Sequence, residues 1–158
     1  PPYPPVVSSA ASDVYKRQSP FRAICACDAF LACADADKHI MVMDVRADVV
    51  QEITMRHPVA ELAWCGAELV IATTEPALHR WDLNTMRACT GVQATVVHMV
   101  VVSDLVVVSD LDDLVSTVVD GDLVPMLSLP SEAVVALECS SDDRWVAVVT
   151  HSLSLIHI

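Results

Sequence analysis

Glycine is scarce in this sequence: Gly66, Gly91 and Gly121 are the only ones among 158 residues. Phosphate-binding loops of the GxGxxG and GxxxxGK[ST] types and the GxSxG turn of many hydrolases need closely spaced glycines. None of these patterns occurs, and the histidines show no HExxH spacing. Because nothing indicates a nucleotide-binding loop or an activated nucleophile, we expect a protein that is not an enzyme, with no catalytic residue, no cofactor and no metal.

Positive charge is also scarce. Lysine and arginine together number 9 against 21 aspartate and glutamate residues, which gives a net charge of −12. Such a surface repels nucleic-acid phosphates and anionic lipids at long range. We therefore expect no direct nucleic-acid binding and no membrane association, and we expect partners that are other proteins, including ones with basic surfaces.

Long apolar runs are missing, although the mean hydropathy is high. The richest run, Thr95–Val102, stops at Ser103 and Asp104. A membrane-spanning helix needs about 18 or more apolar residues, so none is expected.

Cysteine pairs with the CxxC spacing are absent among the six cysteines, which are Cys25, Cys27, Cys33, Cys65, Cys89 and Cys139. Most lie in apolar runs, where a cysteine behaves as a small hydrophobic residue. Cys25 and Cys27 would share a strand face with Cys33 nearby, so a thiolate site is the alternative. Reduced cysteines favour an intracellular location, cytoplasmic or nuclear.

Two segments resemble translated sequencing adapter. The codons GAT GTG TAT AAG AGA CAG would encode Asp13–Gln18, and their reverse complement encodes LSLIHI, the sequence of Leu153–Ile158. These bases resemble the mosaic end of a transposon-based adapter, whose preceding arm translates as the SSAAS of Ser8–Ser12. We therefore expect Ser8–Gln18 and Leu153–Ile158 to be translated adapter and Pro1–Val7 to be foreign sequence. Such segments carry no information about the fold of the protein.

The remaining chain repeats at an interval of 38 residues. The segments DKHIMVMDV, EPALHRWDL and DLVSTVVDG start at Asp37, Glu75 and Asp113, and each has an aspartate seven positions later, at Asp44, Asp82 and Asp120. A fourth copy begins near Ala136. Within a unit, short β-branched runs alternate with turn residues, which is typical of four antiparallel strands.

The unit resembles the WD-repeat blade of a β-propeller, whose length is close to this period, and Trp81-Asp82 is the dipeptide that names the family. The resemblance implies that a hydrogen-bonded network of histidine, threonine, an acidic residue and tryptophan stabilises each blade. The second unit has these types at His57, Thr73, Glu75 and Trp81. The resemblance gives a structural role also to the recurring turn aspartates, which are Asp37, Asp44, Asp82, Asp113 and Asp120.

This chain departs from the family pattern at several positions. Arg56 stands where a glycine is usual, Glu75 replaces aspartate, and Met43 and Val119 replace the tryptophan in other units. The fold expected from the resemblance is all-β, a partial β-propeller of about three and a half four-stranded antiparallel blades. We expect residues 1–18 to be leader and adapter, residues 19–152 the partial propeller with units near 21–56, 57–94, 95–130 and 131–152, and residues 153–158 adapter.

Acidic pairs such as Asp35 with Asp37 and Asp110 with Asp112 suggest either a cation site or tight turns. Their recurrence at the same place in each unit favours turns, because aspartate bonds its own neighbouring backbone. The spaced calcium loop with its glycine is absent.

By resemblance, the function is that of a non-catalytic WD-repeat scaffold for protein–protein interactions in an intracellular complex. The alternatives are an accessory subunit of an RNA-processing or tRNA-modifying assembly, and a ligand-binding or enzymatic propeller. By the same resemblance, exposed positions on the faces and top loops of a propeller carry its binding function, and loops commonly do so in general. We therefore predict that Arg46, His79, Arg80, Asn84 and Arg87 bind protein.

Overall fold

The computed structural model describes residues 19–89, 95–129, 132–151 and 156–157. In these ranges the chain forms β-strands and turns but no helix, so the described residues contain no helix that could cross a membrane. The strands form four antiparallel sheets, and no sheet closes on itself. The predicted all-β class with repeated antiparallel sheets is confirmed.

Each sheet is a meander of strands that follow one another along the chain. The first sheet consists of β1 (Phe21–Ala26), β2 (Phe30–Asp35), β3 (His39–Asp44) and β4 (Val49–Thr54). The second consists of β5 (Val59–Cys65), β6 (Glu68–Thr73), β7 (Leu78–Trp81) and β8 (Met86–Cys89). The third consists of β9 (Val96–Val102), β10 (Leu105–Asp110), β11 (Leu114–Val119) and β12 (Asp122–Ser128). The fourth consists of β13 (Val134–Cys139), β14 (Val146–Thr150) and β15 (Ile156–His157).

The fourth sheet differs from the expected half blade, because its third strand comes from the segment that resembles adapter. Ile156 pairs with Val148 and His157 pairs with Ala147. A β-ladder forms between main-chain groups, so an open strand edge accepts any segment that extends easily, whatever its origin. The other adapter-like segment and the leader, residues 1–18, lie outside the described residues.

The second strand of each sheet carries the best-buried side chains. In β10, Val106, Val107 and Val108 are at most 2% exposed. Successive side chains of a strand point to opposite faces, so both faces of this sheet are covered. The unbroken run of valines, in place of alternation with polar residues, is the sequence signal for a strand packed on both sides.

Apolar clusters fill the space between neighbouring sheets. Ile40 and Val42 of the first sheet pack with Leu69, Ile71 and Trp81 of the second. The second and third sheets share a cluster that contains Val70 and Val106, and the third and fourth share one that contains Val107 and Val148. A fully buried aliphatic side chain contributes about 1.5–3 kcal/mol to folding, so this packing is what holds the sheets together.

The first strands lie next to one another through the stack: β1 contacts β5, β5 contacts β9, and β9 contacts β13. In a meander, the turns between first and second strands and between third and fourth strands lie at one end of the sheet. We call this end of the molecule the hairpin end. The turns between second and third strands and the connections between sheets lie at the opposite end.

The pairing register shows that the repeat is not uniform. Val59 pairs with Thr73 as Phe21 pairs with Asp35, a shift of 38 residues, but the pair Val96–Asp110 follows after 37. The outer hairpin is shorter in the second sheet, because five residues separate the paired Met43 and Val49 and four separate Trp81 and Met86, and the irregularity between Val42 and Met43 has no counterpart there. The predicted 38-residue alignment is therefore right for the first two sheets and wrong by one residue for the third.

Candidate interaction surface

The turn between β6 and β7 brings together three of the four predicted network residues of the second unit. Thr73 is 1% exposed, and its Oγ1 atom donates to the backbone oxygens of Glu75 at 3.1 Å and Ala77 at 3.4 Å. His57 Nδ1 lies 3.9 Å from Glu75 Oε1, with both side chains partly exposed. Thr73 is thus the residue that fixes this turn, while the His57–Glu75 contact is peripheral and screened by solvent.

Trp81 and Asp82 have separate roles. Trp81 is 4% exposed and packs in the cluster between the first and second sheets. The Asp82 Oδ1 atom accepts the backbone N–H groups of Asn84 at 3.1 Å and Thr85 at 2.8 Å. Asp44 accepts from Arg46 and Asp48 in the corresponding turn of the first sheet. These two aspartates shape outer hairpin turns, as their residue type favours.

The carboxylates that organise the turn between second and third strands are Asp35 and Asp110, which the repeat alignment did not select. Asp35 Oδ1 accepts the N–H groups of Asp37 at 2.8 Å and His39 at 2.9 Å. Asp110 Oδ1 accepts those of Asp112 at 2.9 Å and Leu114 at 3.0 Å. Both occupy the last position of a second strand, where the second sheet has Thr73, and both belong to the acidic pairs for which the sequence favoured tight turns.

Asp37 and Asp113, which the resemblance predicted for the network, make the following contacts. Asp37 contributes its backbone N–H to the turn, and its side chain is exposed. The counterpart of Glu75 in the third sheet is Asp112. Asp113 has a positive φ of 58°, and its Oδ1 accepts the N–H of Val134 at 3.0 Å, which links the third sheet to the fourth.

Asp120 belongs to a different kind of turn from Asp44 and Asp82. Val119 pairs with Asp122, which leaves Asp120 and Gly121 as a two-residue loop with φ values of 51° and 91°. Positive φ at both positions defines a type I′ turn, for which Asp-Gly is a preferred sequence. The one-residue offset in the alignment had made this turn look equivalent to the longer outer turns.

The five residues predicted to bind protein do not form one surface. Arg46 and Asn84 are exposed in outer hairpin turns. Arg80 lies on β7, where its Nη1 atom is 3.0 Å from Glu68 Oε2, and Arg87 pairs with it through the backbone. His79 lines a cavity of about 300 Å³ with Thr73 and His57.

At the hairpin end, the four turns between first and second strands lie side by side, at residues 27–29, 66–67, 103–104 and 140–145; we call them the turn row. Cys65 Sγ contacts Asp104 O at 3.2 Å. Ser103 N donates to Asp143 Oδ2 at 2.8 Å, and Ser103 Oγ donates to Asp143 O at 2.5 Å. These contacts join the second turn to the third and the third to the fourth.

The hairpin end is strongly acidic. Its inner and outer turns carry seven carboxylates, at Asp28, Asp48, Asp82, Asp104, Asp120, Asp142 and Asp143. In the same turns the positive groups are Arg46 and Arg144. This imbalance creates a negative potential that attracts positively charged partners.

Two cavities flank the first turn of the row and share Cys27 and Phe30. One, of about 340 Å³, lies between this turn and the second and is lined also by Asp28, Trp64 and Ala67. The other, of about 360 Å³, is lined also by Leu31, Met43 and Asp44. The rings of Phe30 and Trp64 stack with their centroids 5.8 Å apart, and the buried Trp64 Nε1 has no hydrogen-bond partner among the described residues.

Burial disfavours the thiolate form of two cysteines in the cluster that the sequence offered as an alternative site. Burial, reinforced by Cys27 and Cys33, raises the pKa of the Cys25 thiol to about 12, so this thiol stays protonated at neutral pH. Burial also raises the pKa of Cys33. Among the described residues, no group of three or more His, Cys, Asp or Glu side chains is arranged to hold a metal ion.

Burial also acts on two other ionisable groups. It raises the pKa of Glu61 and, together with the nearby His57, lowers the pKa of His79. Both shifts favour the neutral form, as expected when a titratable group is removed from water.

No family model and no curated protein matches this sequence. Solved structures do match the fold. The computationally designed Ika4 protein is similar with a TM-score of 0.72 and 17% identity, over 89% of this chain and 91% of that chain. The computationally designed Ika8 protein is similar with a TM-score of 0.67 and 18% identity, over 89% of this chain but 46% of that chain. At these identities the likeness concerns the fold alone.

Proposed function

We propose that this chain is part of a WD-repeat β-propeller that acts as a non-catalytic platform for protein–protein interactions in an intracellular assembly. The observation that carries the proposal is the turn row, because it presents loops from four consecutive sheets on one surface. A rigid surface built from several repeats is well suited to binding another protein, since little ordering is needed on association.

The sheets themselves support the propeller part of the proposal. Each described meander packs against the next through apolar faces, and the first strands are neighbours throughout. Repeat architectures bury their cores in this way, with each unit covered by adjacent units. The Thr73-centred turn adds a residue type and position that the WD-repeat resemblance implies.

Charge and thiol chemistry support the choice of partner and compartment. The net charge of −12 favours proteins over nucleic acids as partners. The described cysteines Cys25, Cys27, Cys33, Cys65 and Cys139 are free thiols, which fits a reducing compartment.

Cross-linking in cells tests this proposal. Because the sequence contains only Lys16 and Lys38 as lysines, a zero-length reagent that joins carboxylates to lysines of a partner is the suitable chemistry. We expect cross-links from tagged chain to a small set of proteins, concentrated on the hairpin-end aspartates. A chain that yields no reproducible partner, or whose cross-links scatter evenly over all exposed carboxylates, would contradict the proposal.

A further inference from the structure

We propose that the hairpin end binds a basic, extended segment of the partner protein, and that the cavity between Phe30 and Trp64 and the first two turns receives one arginine or lysine side chain of that segment. This inference rests on the proposed function and specifies the chemistry of its partner. Three features of the described residues carry it: the charge of the surface, the lining of the cavity and the position of Asp28.

The charge selects the class of partner. The hairpin-end turns carry seven carboxylates and two guanidinium groups, and in the turn row Asp28, Asp104, Asp142 and Asp143 are all exposed. Complementary charge speeds association and orients the partner. A basic segment is thus the occupant that this surface attracts over neutral or acidic ones.

The cavity selects the side chain. Its volume of about 340 Å³ is at the lower end for a ligand pocket, a size suited to one long side chain. Phe30 and Trp64 provide aromatic surface, which attracts a cation and also packs against its aliphatic stem. Asp28 at the rim supplies the opposite charge.

The unpaired Trp64 Nε1 is consistent with a bound segment that supplies a hydrogen-bond acceptor. A buried N–H without a partner is unfavourable, and in the described part of the chain only this group and Ser109 Oγ are buried side-chain polar atoms without one. A backbone carbonyl of an extended segment can satisfy it after a side-chain adjustment of the kind common on binding.

Binding of a synthetic peptide tests the inference on the full chain. The probe is a short fluorescein-labelled peptide that alternates arginine with alanine, and the control peptide has glutamine in place of arginine. Fluorescence anisotropy at about 0.15 M salt, where charges beyond about 8 Å are screened, should show binding of the arginine peptide and none of the control.

Two double variants locate the site, and each is a pair of substitutions that removes two negative charges. Asp28→Asn with Asp104→Asn alters the turn row, and Asn tolerates the positive φ of 64° at position 104. Asp37→Asn with Asp112→Asn removes the same charge at the opposite end. We expect the first pair to weaken binding at least about tenfold and the second less than about twofold. Equal losses in both pairs would overturn the proposal, because they indicate attraction by net charge alone.

Filling the cavity gives an independent readout. Ala67 is exposed and lines the cavity, so Ala67→Leu occupies its volume without altering charge, and binding should weaken at least about fivefold. Unchanged affinity would remove the cavity from the proposal. If cells show a reproducible partner but the arginine peptide does not bind, the platform function stands and this inference fails. If the peptide binds but cells show no reproducible partner, the binding inference stands and the platform function fails.

Discussion

Ser103 and Asp143, 40 residues apart, join the third and fourth sheets at the hairpin end: Ser103 N donates to Asp143 Oδ2 at 2.8 Å. Asp143 has a positive φ of 56°, a conformation that aspartate and asparagine tolerate better than other residues with side chains. The side chain therefore does two things at once, since it accommodates its own turn and fixes the neighbouring one.

Replacement of Asp143 should separate these two roles. We expect Asp143→Ala to lower the free energy of unfolding by about 1 kcal/mol, because it loses the acceptor and is strained at positive φ. Asp143→Asn keeps a side-chain oxygen and should lose less than half of that. Urea unfolding followed by circular dichroism measures both. Equal losses for the two variants would mean that the Ser103 contact is not stabilising.

The buried turn carboxylates should matter more than the exposed ones beside them. Asp35 is 4% exposed and accepts two backbone N–H groups. Asp35→Ala should destabilise the protein by about 2 kcal/mol, because both donors lose their partner in a buried site. Asp37→Ala, two residues away and exposed, is the control and should change stability by less than about 0.5 kcal/mol. A larger effect at Asp37 would restore the role that the repeat alignment gave it.

Gly121 offers a test of backbone strain without crowding. Its φ is 91°, and a Cβ atom placed there meets no atom within 4 Å. Any loss from Gly121→Ala therefore reports the backbone conformation, and we expect about 1 kcal/mol. Gly121→Asn should cost less, since Asn adopts positive φ more readily. The measurement is the thermal unfolding temperature of the two variants compared with that of wild type. A Gly121→Ala variant as stable as wild type would argue against the type I′ turn.

Stability should depend on pH through His79. Burial lowers its pKa below the ordinary 6.5, so the folded state disfavours the protonated form more than the unfolded state does. The contribution of neutral His79 is fully present above pH 6.5 and is lost as the pH falls below that value. His57, which lines the same cavity, adds to this effect because a positive charge at His79 would face it.

Comparison of His79→Gln with wild type isolates this effect from other titrating groups, including Glu61, whose raised pKa acts in the opposite direction. The urea midpoint of wild type should fall more steeply between about pH 7 and pH 5.5 than that of His79→Gln. His151→Gln, at an exposed histidine, should follow wild type. Parallel curves for wild type and His79→Gln would show that His79 is solvated in the folded state.

The sequence predicted the sheets well because β-branched runs and turn residues are local signals. Valine-rich segments such as Val106–Val108, bounded by turn residues, leave little choice of structure. The pairing register of the third sheet is harder to predict from the sequence. Asp110, Asp112 and Asp113 offer an aspartate at neighbouring positions, so an alignment on aspartates slips by one residue, and only the strand pairing distinguishes them.

The candidate surface was harder to predict for a different reason. Phe30 and Trp64 are 34 positions apart in the sequence and contact each other across two sheets. No local sequence pattern predicts such a contact. The resemblance predicts Arg46, His79 and Arg80 as exposed binding residues on a propeller's faces and loops, yet Arg80 lies beside Glu68 and His79 lines a cavity. A strand residue's surroundings depend on the neighbouring sheet, which the sequence of one unit does not contain.

The outer turn between β3 and β4 is one residue longer than its counterpart between β7 and β8, and its Val45 is 78% exposed. The longer turn is accompanied by an irregularity in pairing between Val42 and Met43, and the strands still pair beyond it, so we expect the turn to tolerate an insertion. An epitope tag or a spectroscopic label grafted between Val45 and Arg46 should leave the strands aligned, and it would give a reporter beside the acidic surface without disturbing the packed interior.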